Sequence, residues 1–361
     1  MPKRGENIHK RKDGRWEARI ITNGKMKSIY ADNYRTVKEK QRNYKEIVKE
    51  SINADTSFSG LCYDWLKTRE IKNKPSTIAR YSSIIKNHLE PYLKKVGTDA
   101  LNFTHVNEFI VQKTKEQLQP STINTMVAVL LQIIRYGERK GCIHHFIYDI
   151  SKPISVVKEL DVLTEAEQTK LVRSIRASIS HENIGVLLSL YTGIRLGEIC
   201  ALQWSDIDLN GSMISISKTM QRIQVNTKGS STKTKIVIDA PKSKKSIRKI
   251  PVPNFLLSEL KRLSKSCVPN AYILTGTEGK YIEPRNYQYK FKRFLLQTGL
   301  RDVHFHVLRH TFATRAIEQG FDVKTLSEIL GHASVSFTLD RYVHPSFDLK
   351  RQNMEKIAVC F

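Results

Sequence analysis

The sequence predicts an α+β multidomain chain with three parts: a small β-sheet-plus-helix N-terminal domain (1–53), an all-helical domain (54–152) and a mixed α+β domain (153–361). Three observations predict it. An Asn-Gly pair sits between two strand-like runs near the N-terminus. Apolar residues then recur at helical spacing for about a hundred residues. Beyond Lys152-Pro153, three strand-like runs lie between groups of helices.

In the first part, a turn at Asp13-Gly14 precedes an apolar and aromatic run over 16–22. Asn23-Gly24 follows, then a second run over 25–30. Both central residues of a type I′ turn need positive φ, which Asn-Gly supplies best, so a hairpin is expected. A lysine-rich helix is expected over 36–50. Three short strands and a helix rich in Lys and Arg suit a sheet laid into a DNA groove, with Arg15, Trp16, Arg19, Lys25 and Lys27 as contacts.

The second part carries four apolar sets at helical spacing: Phe58/Leu61/Trp65/Leu66, Ile78/Tyr81/Ile84/Ile85/Leu89, Val106/Phe109/Ile110 and Ile123/Met126/Val127/Leu130/Ile134. "PSTI" occurs at 75–78 and again at 120–123, each placing proline where a helix begins. Four helices with polar, basic outer faces are expected, as a DNA clamp or as a plain bundle, between which composition does not choose.

In the third part, Thr164 is expected to cap a helix over 165–178, with further helices over 182–191 and 196–202. Strands are expected over 212–217, 235–238 and 247–252, and helices again to the end.

Composition narrows the function. Sixty Lys+Arg against 35 Asp+Glu give a net charge of +25, spread over most of the 361 residues. So basic a chain is expected to bind a polyanion, because each phosphate it neutralises releases condensed counterions. No apolar run approaches a membrane span, and the basic N-terminus has no apolar segment behind it. The five cysteines are scattered and never in C-x-x-C spacing, against a disulfide framework or a cysteine-rich zinc knuckle. A cytosolic protein without a membrane partner is expected.

The candidate site is divided along the chain. In "LYTGIRLGEICAL", Gly193 closes one helix and Arg195 stands where the next begins, where free N–H groups and a guanidinium would favour an anion. Gly197 is expected to keep that surface open, and Glu198 to orient the arginine. In "APKSKKSIRKIPVP", Lys242 is expected at the tip of a turn between two strands, able to act as a proton donor or a point charge; Lys244 and Lys245 compete for that role. In "FHVLRHTFATRAIEQG", His306 and Arg309 share a helical face beside a buried stripe of Leu308, Phe312 and Ala316. Gly320 ends that helix. A second runs over 323–330 and stops at Gly331, directly before His332, and a third from about Ser336 delivers Tyr342.

Three chemistries compete for these residues. His306-x-x-x-His310 has zinc-helix spacing, but Val307 stands where the glutamate of H-E-x-x-H belongs, and no acidic cluster offers a further ligand. A helix-turn-helix regulator over 323–342 fits in length but leaves Arg195 and Lys242 without purpose. A metal-free site for phosphate chemistry uses them all.

The order "TGIRLGE", "PKSKKSIRKIP", "HVLRHTFAT", "LGHAS" and then Tyr342 resembles the tyrosine recombinase family, and within it the lambda-type integrases of phages and conjugative transposons. The resemblance over 164–344 implies that Tyr342 attacks a DNA phosphate to form a 3′-phosphotyrosyl link and release a 5′-hydroxyl. Arg195 and Arg309 would hold the non-bridging oxygens, with Glu198 supporting the first. Lys242 would protonate the leaving oxygen, His306 would assist as base or hydrogen-bond partner, and His332 would bond a phosphate oxygen. No metal, other cofactor or ATP would be required. His310 and His344 fall outside the matched pattern and are expected to pack or to touch DNA.

The same resemblance implies an arm-type DNA-binding domain (1–53), a core-binding domain (54–152) and a catalytic domain (153–361). It further implies double-stranded attachment sites as substrate, four protomers exchanging strands through a Holliday junction, and a possible excisionase or DNA-bending accessory protein. A chromosome-resolution recombinase is the rival within the family; the extra basic unit at 1–53 favours an integrase. The apolar tail residues Ile357, Ala358, Val359 and Phe361 are expected to dock on a neighbouring protomer.

Overall fold

A computed structural model describes residues 6–22, 25–53, 57–146, 149–154, 160–224, 234–241, 244–343, 351 and 354–355. The chain divides into two compact units, Met1–Ser155 and Val156–Phe361, parting a few residues after the expected boundary at 153. Among the described residues no helix is long and apolar enough to cross a membrane.

The first unit contains two separate apolar cores. The smaller lies under a three-stranded antiparallel sheet, β1 (Ile8–Lys10), β2 (Trp16–Thr22) and β3 (Lys25–Ala31), covered on one face by α1 (Tyr34–Asn53). The Asn23-Gly24 turn lies outside the described residues, but the pairing that needs it is present from Trp16↔Ala31 to Thr22↔Lys25. Strand alternation sorts the side chains. Ala18 and Ile20 are buried, and Trp16 packs edge-on against Tyr34 of α1 at 5.2 Å between ring centroids.

The larger core gathers Trp65, Ile84, Leu93, Phe109 and Leu130 from five helices. These are α2 (Phe58–Glu70), α3 (Pro75–Ile84), α4 (Glu90–Leu93), α5 (Phe103–Lys115) and α6 (Pro120–Lys140), with a π-helical turn, Ile85–Leu89, joining α3 to α4. Both "PSTI" copies start helices with proline in the first turn, where a missing N–H costs nothing. The Ser and Thr beside them make no cap; Lys74 and Gln119 occupy the cap positions without side-chain bonds.

The second unit opens with α7 (Glu165–Ala177), whose Thr164 and Glu167 form a reciprocal capping box. Next come α8 (His181–Thr192) and α9 (Leu196–Ala201). The strands form two sheets rather than one. β4 (Ile207–Asp208), β5 (Met213–Ile216) and β8 (Arg248–Pro251) make one; β6 (Thr219–Gln224) and β7 (Thr234–Asp239) make the other. The strands on either side of Lys242, β7 and β8, are therefore not partners of each other, and the expected hairpin tip is instead a crossover between sheets. Lys242 itself lies outside the described residues. α10 (Asn254–Ser264) and α11 (Pro284–Gln297) follow, and α12 (His306–Glu318), α13 (Val323–Leu330) and α14 (Val335–Tyr342) complete the unit. His344 and the apolar tail residues 357–359 and 361 lie outside the described residues.

Candidate active site

The pocket forms where the start of α9, the face of α12 and the end of α13 converge with Tyr342 at the end of α14. Gly193 ends α8 in the left-handed conformation, φ 65°, which glycine adopts without steric cost. Its carbonyl is then free to accept from Arg309 Nη1 at 2.6 Å.

The last carbonyls of a helix have no partner within it and carry the negative end of its dipole. In α13 three arginines from different segments fill that need. Arg248 Nε donates to the Ile329 carbonyl, Arg309 Nη2 to Leu330 at 2.8 Å and Arg195 Nη2 to Gly331 at 3.2 Å. Lys245 Nζ adds a bond to the Ala333 carbonyl at 3.0 Å. The loop bearing His332 is thus held by three arginines and a lysine.

Glu198 organises two of those arginines. Its carboxylate meets Arg195 Nη1 at 3.0 Å and takes both Nη atoms of Arg248, at 3.1 and 2.9 Å. Burial would raise the carboxyl's pKa, but the Arg248 bonds and the Arg248 and Arg195 charges outweigh it and hold Glu198 below the ordinary carboxylate range. Glu198 also accepts from the Arg195 N–H at 3.0 Å. That backbone donor, expected to serve an anion, is already used, so what Arg195 offers a phosphate is its half-exposed guanidinium. Gly197 has a different role from the expected one. A Cβ there would come within 2.7 Å of the Met220 carbonyl, so glycine lets β6 pass close behind α9.

Arg309 is almost fully buried, 1% exposed, yet charged. Burial first, then repulsion from Arg195, pushes its pKa down to about 9, still protonated at neutral pH. An arginine can only donate, so its 2.9 Å contact with His332 makes Nε2 of that histidine an acceptor. His332 Nδ1 therefore carries the proton and donates to Thr338 Oγ1 at 2.7 Å. Burial, with the charges of Arg309 and Arg195, holds His332 neutral, its pKa down at about 3. Through these two contacts His332 links Arg309 to Thr338.

Tyr342 is 6% exposed, and burial raises its phenol pKa above 10.0. Its ring lies parallel to that of His332 at 6.2 Å. Its hydroxyl is 2.9 Å from His310 Nδ1. His310, expected to pack or to touch DNA, is thus the side chain on the candidate nucleophile's oxygen. His306 stands edge-on to His310, 4.6 Å between centroids, as their four-residue spacing on α12 dictates. Among the described residues no group of three or more His, Cys, Asp or Glu side chains is placed to hold a metal.

The structure therefore brings together Arg195, Glu198, His306, Arg309, His332 and Tyr342, taken from the sequence, and adds Arg248 and His310. The clue to His310 was the same i, i+4 spacing that suggested zinc. Arg248 gave no local signal, because its partner lies 50 residues upstream.

The N-terminal sheet corrects part of the expected DNA surface. Trp16 faces α1. Lys27 pairs across from Ile20, on that same covered side, with Nζ 4.5 Å from the Tyr44 ring centroid. The open face carries Arg19, together with His9 and Arg11, around a Glu17 that is only 3% exposed. Bonds from Ser28 and then Arg19 hold the Glu17 carboxyl down at about 2. Arg15 is exposed and paired with Asp13 at 2.8 Å. Lys25 begins β3, but its side chain lies outside the described residues.

Comparison with known proteins places this site in a class. Residues 161–348 match the phage integrase family, and residues 57–113 match the N-terminal SAM-like domain of phage integrases. The chain belongs to the phage integrase family, whose tyrosine recombinases break and rejoin DNA. It is 24% identical over 356 residues to a XerC-like tyrosine recombinase of Caldanaerobacter subterraneus subsp. tengcongensis, covering 89% of each chain. It is 25% identical over 316 residues to the ICEBs1 integrase of Bacillus subtilis, covering 83% of this chain and 82% of that one. Its fold resembles that of a Tn1549 transposon integrase solved in complex with a circular intermediate DNA, with a TM-score of 0.70, 21% identity and coverage of 84% of this chain and all of that one. The helix-turn-helix regulator gives way to a site-specific recombinase, with α13 and α14 presenting Tyr342.

Proposed function

We propose that the chain is the integrase of a mobile element, acting in the bacterial cytoplasm on double-stranded attachment sites. The observation that carries this reading is the Tyr342 hydroxyl in a pocket with Arg195 and Arg309, whose guanidiniums are pre-set by Glu198 and by carbonyls. The Tyr342 oxygen attacks phosphorus, the P–O5′ bond breaks, and a 3′-phosphotyrosyl link stores the bond energy for rejoining without ATP. Arg195 and Arg309 stabilise the charge that builds on the non-bridging oxygens, an effect worth about 10²–10³-fold per donor. Lys242 protonates the leaving 5′ oxygen. His306, exposed at the pocket, is a hydrogen-bond partner for the phosphate.

The open face of the N-terminal sheet, with Arg19, Arg11 and His9, is the arm-binding surface; α2 to α6 form the core-site clamp. The assembly is four protomers on two duplexes, with an excisionase or bending protein setting direction. The basic sheet unit supports an integrase over a chromosome-resolution recombinase, which has no need of a second DNA-binding module.

The test is a nicked suicide duplex carrying the junction between the element and its host chromosome, incubated with the protein in EDTA. A denaturing gel should show protein linked to DNA, and Tyr342→Phe should remove the band. An adduct that requires added metal, or that survives Tyr342→Phe, overturns the reading.

A further inference from the structure

We propose that His310 is a catalytic residue that takes the phenolic proton of Tyr342 as the nucleophile attacks and returns it when the DNA is rejoined. This rests on the recombinase reading above and deepens it, by assigning a base to a step for which the matched motifs offer only His306.

The geometry favours His310. Its Nδ1 lies 2.9 Å from the Tyr342 hydroxyl, within the range a general base needs. His306 meets His310 ring to ring, and no hydrogen bond joins it to Tyr342 among the described residues. A neutral imidazole with its proton on Nε2 accepts the phenol's hydrogen through Nδ1, and the positive charges of Arg309 and Arg341 ease the loss of that proton by acting against burial at the phenol.

His310 is held neutral, as an acceptor must be. Burial, then His306, Arg341 and Arg309, push its pKa down to about 4, while Asp161 pulls the other way. These are the groups that bear on it from α12, from α14 and from the segment before α7. The opposing field comes from the cations at the proposed phosphate site. A bound phosphodiester brings negative charge to Arg195 and Arg309, offsets that field and raises the proton affinity of His310 when the proton must move.

The step balances. The Tyr342 O–H proton passes to His310 Nδ1 while the O–P bond forms and the P–O5′ bond breaks; the departing oxygen takes a separate proton from the lysine side. In rejoining, the 5′-hydroxyl attacks phosphorus, and the phenolate leaves with the proton from the His310 imidazolium. One residue thus acts as base in cleavage and acid in ligation.

The experiment measures single-turnover cleavage of the nicked suicide duplex described above by full-length wild type, His310→Ala and His310→Asn, with gel-shift binding of an uncleaved duplex as the check on folding. Asparagine can accept the phenol's hydrogen bond, and so orient it, but cannot take its proton. Both variants should bind like wild type and cleave about 100-fold more slowly, and added imidazole should restore part of the rate to His310→Ala. Wild-type rate in His310→Asn would reduce His310 to orientation, and wild-type rate in both would remove it from the reaction; either overturns the proposal while leaving the recombinase reading intact. Absence of any adduct in wild type would overturn both. If His310→Ala fails to bind, His310→Asn decides alone.

Discussion

The phosphate pocket and the N-terminal sheet are both built from arginine and histidine around one buried glutamate, yet they are ordered in opposite ways. At Glu17 the side chains of His9, Arg11 and Arg19 converge on the carboxylate from an open sheet face and stay 41–48% exposed. At Glu198 the carboxylate and Arg248 are both sealed in, at 3% and 6%, and only Arg195 opens outward, at 34%. Exposed cations supply affinity that is screened by salt. Buried and hydrogen-bonded cations supply fixed charge, which catalysis needs and simple binding does not. On the proposed function, the difference separates a surface for holding DNA from a site for cutting it.

The largest effect should come from Glu198→Ala, which leaves Arg248 buried without its partner. Thermal or urea unfolding should show a loss of about 3–5 kcal/mol. The matching change at Glu17 should cost far less, because its cations can turn to water. Equal losses would erase the distinction. Arg309→Lys comes next. An ammonium cannot reach Gly193, Leu330 and His332 from one planar fork, so suicide-substrate cleavage should fall about 100-fold with DNA binding little changed.

The pH dependence should be smaller and one-sided. His310 and His332 have pKa values near 4 and 3 in the fold against an ordinary 6.5, so the unfolded chain binds more protons below that value. Their contribution to stability is full above about pH 6.5 and is lost as pH falls toward 4 and then 3. A melting temperature that declines over this window, and declines less in a His310→Asn/His332→Gln variant, is the expected result. The smallest effect belongs to Arg19→Ala. Binding to arm-site DNA should lose about 0.9 from its log–log salt slope, one phosphate contact, while cleavage of a core-site duplex is unchanged.

Much of this organisation was legible in the residues. Thr164 with Glu167, the prolines at 75 and 120, and Gly331 mark helix ends by local chemistry, and the structure uses each of them so. β6 was not legible, because its buried residues Met220 and Ile223 are three apart and break the alternation that marks a strand. β4, at two residues, is too short to have a pattern. Trp16 was expected to contact DNA, whereas its parity with Ala18 and Ile20 turns it toward α1, partly buried beside Tyr34. For the site, motif order led to Arg195, Arg309, His332 and Tyr342. Arg248 carried no sequence signal beyond its place in the expected strand over 247–252, since only folding brings Glu198 beside it. His310 fell outside the matched pattern, because only folding brings the Tyr342 hydroxyl, 32 residues on, beside it.

The central claim, that Tyr342 is the atom donor to the DNA phosphate, has a direct measurement. Trypsin cuts after Arg341 and Lys350, so the nucleophile resides in the short peptide 342–350. The covalent complex, digested with nuclease and trypsin, should yield that peptide carrying a 3′-phosphonucleotide on Tyr342 by mass spectrometry. The same mass increment on any other peptide would contradict the account.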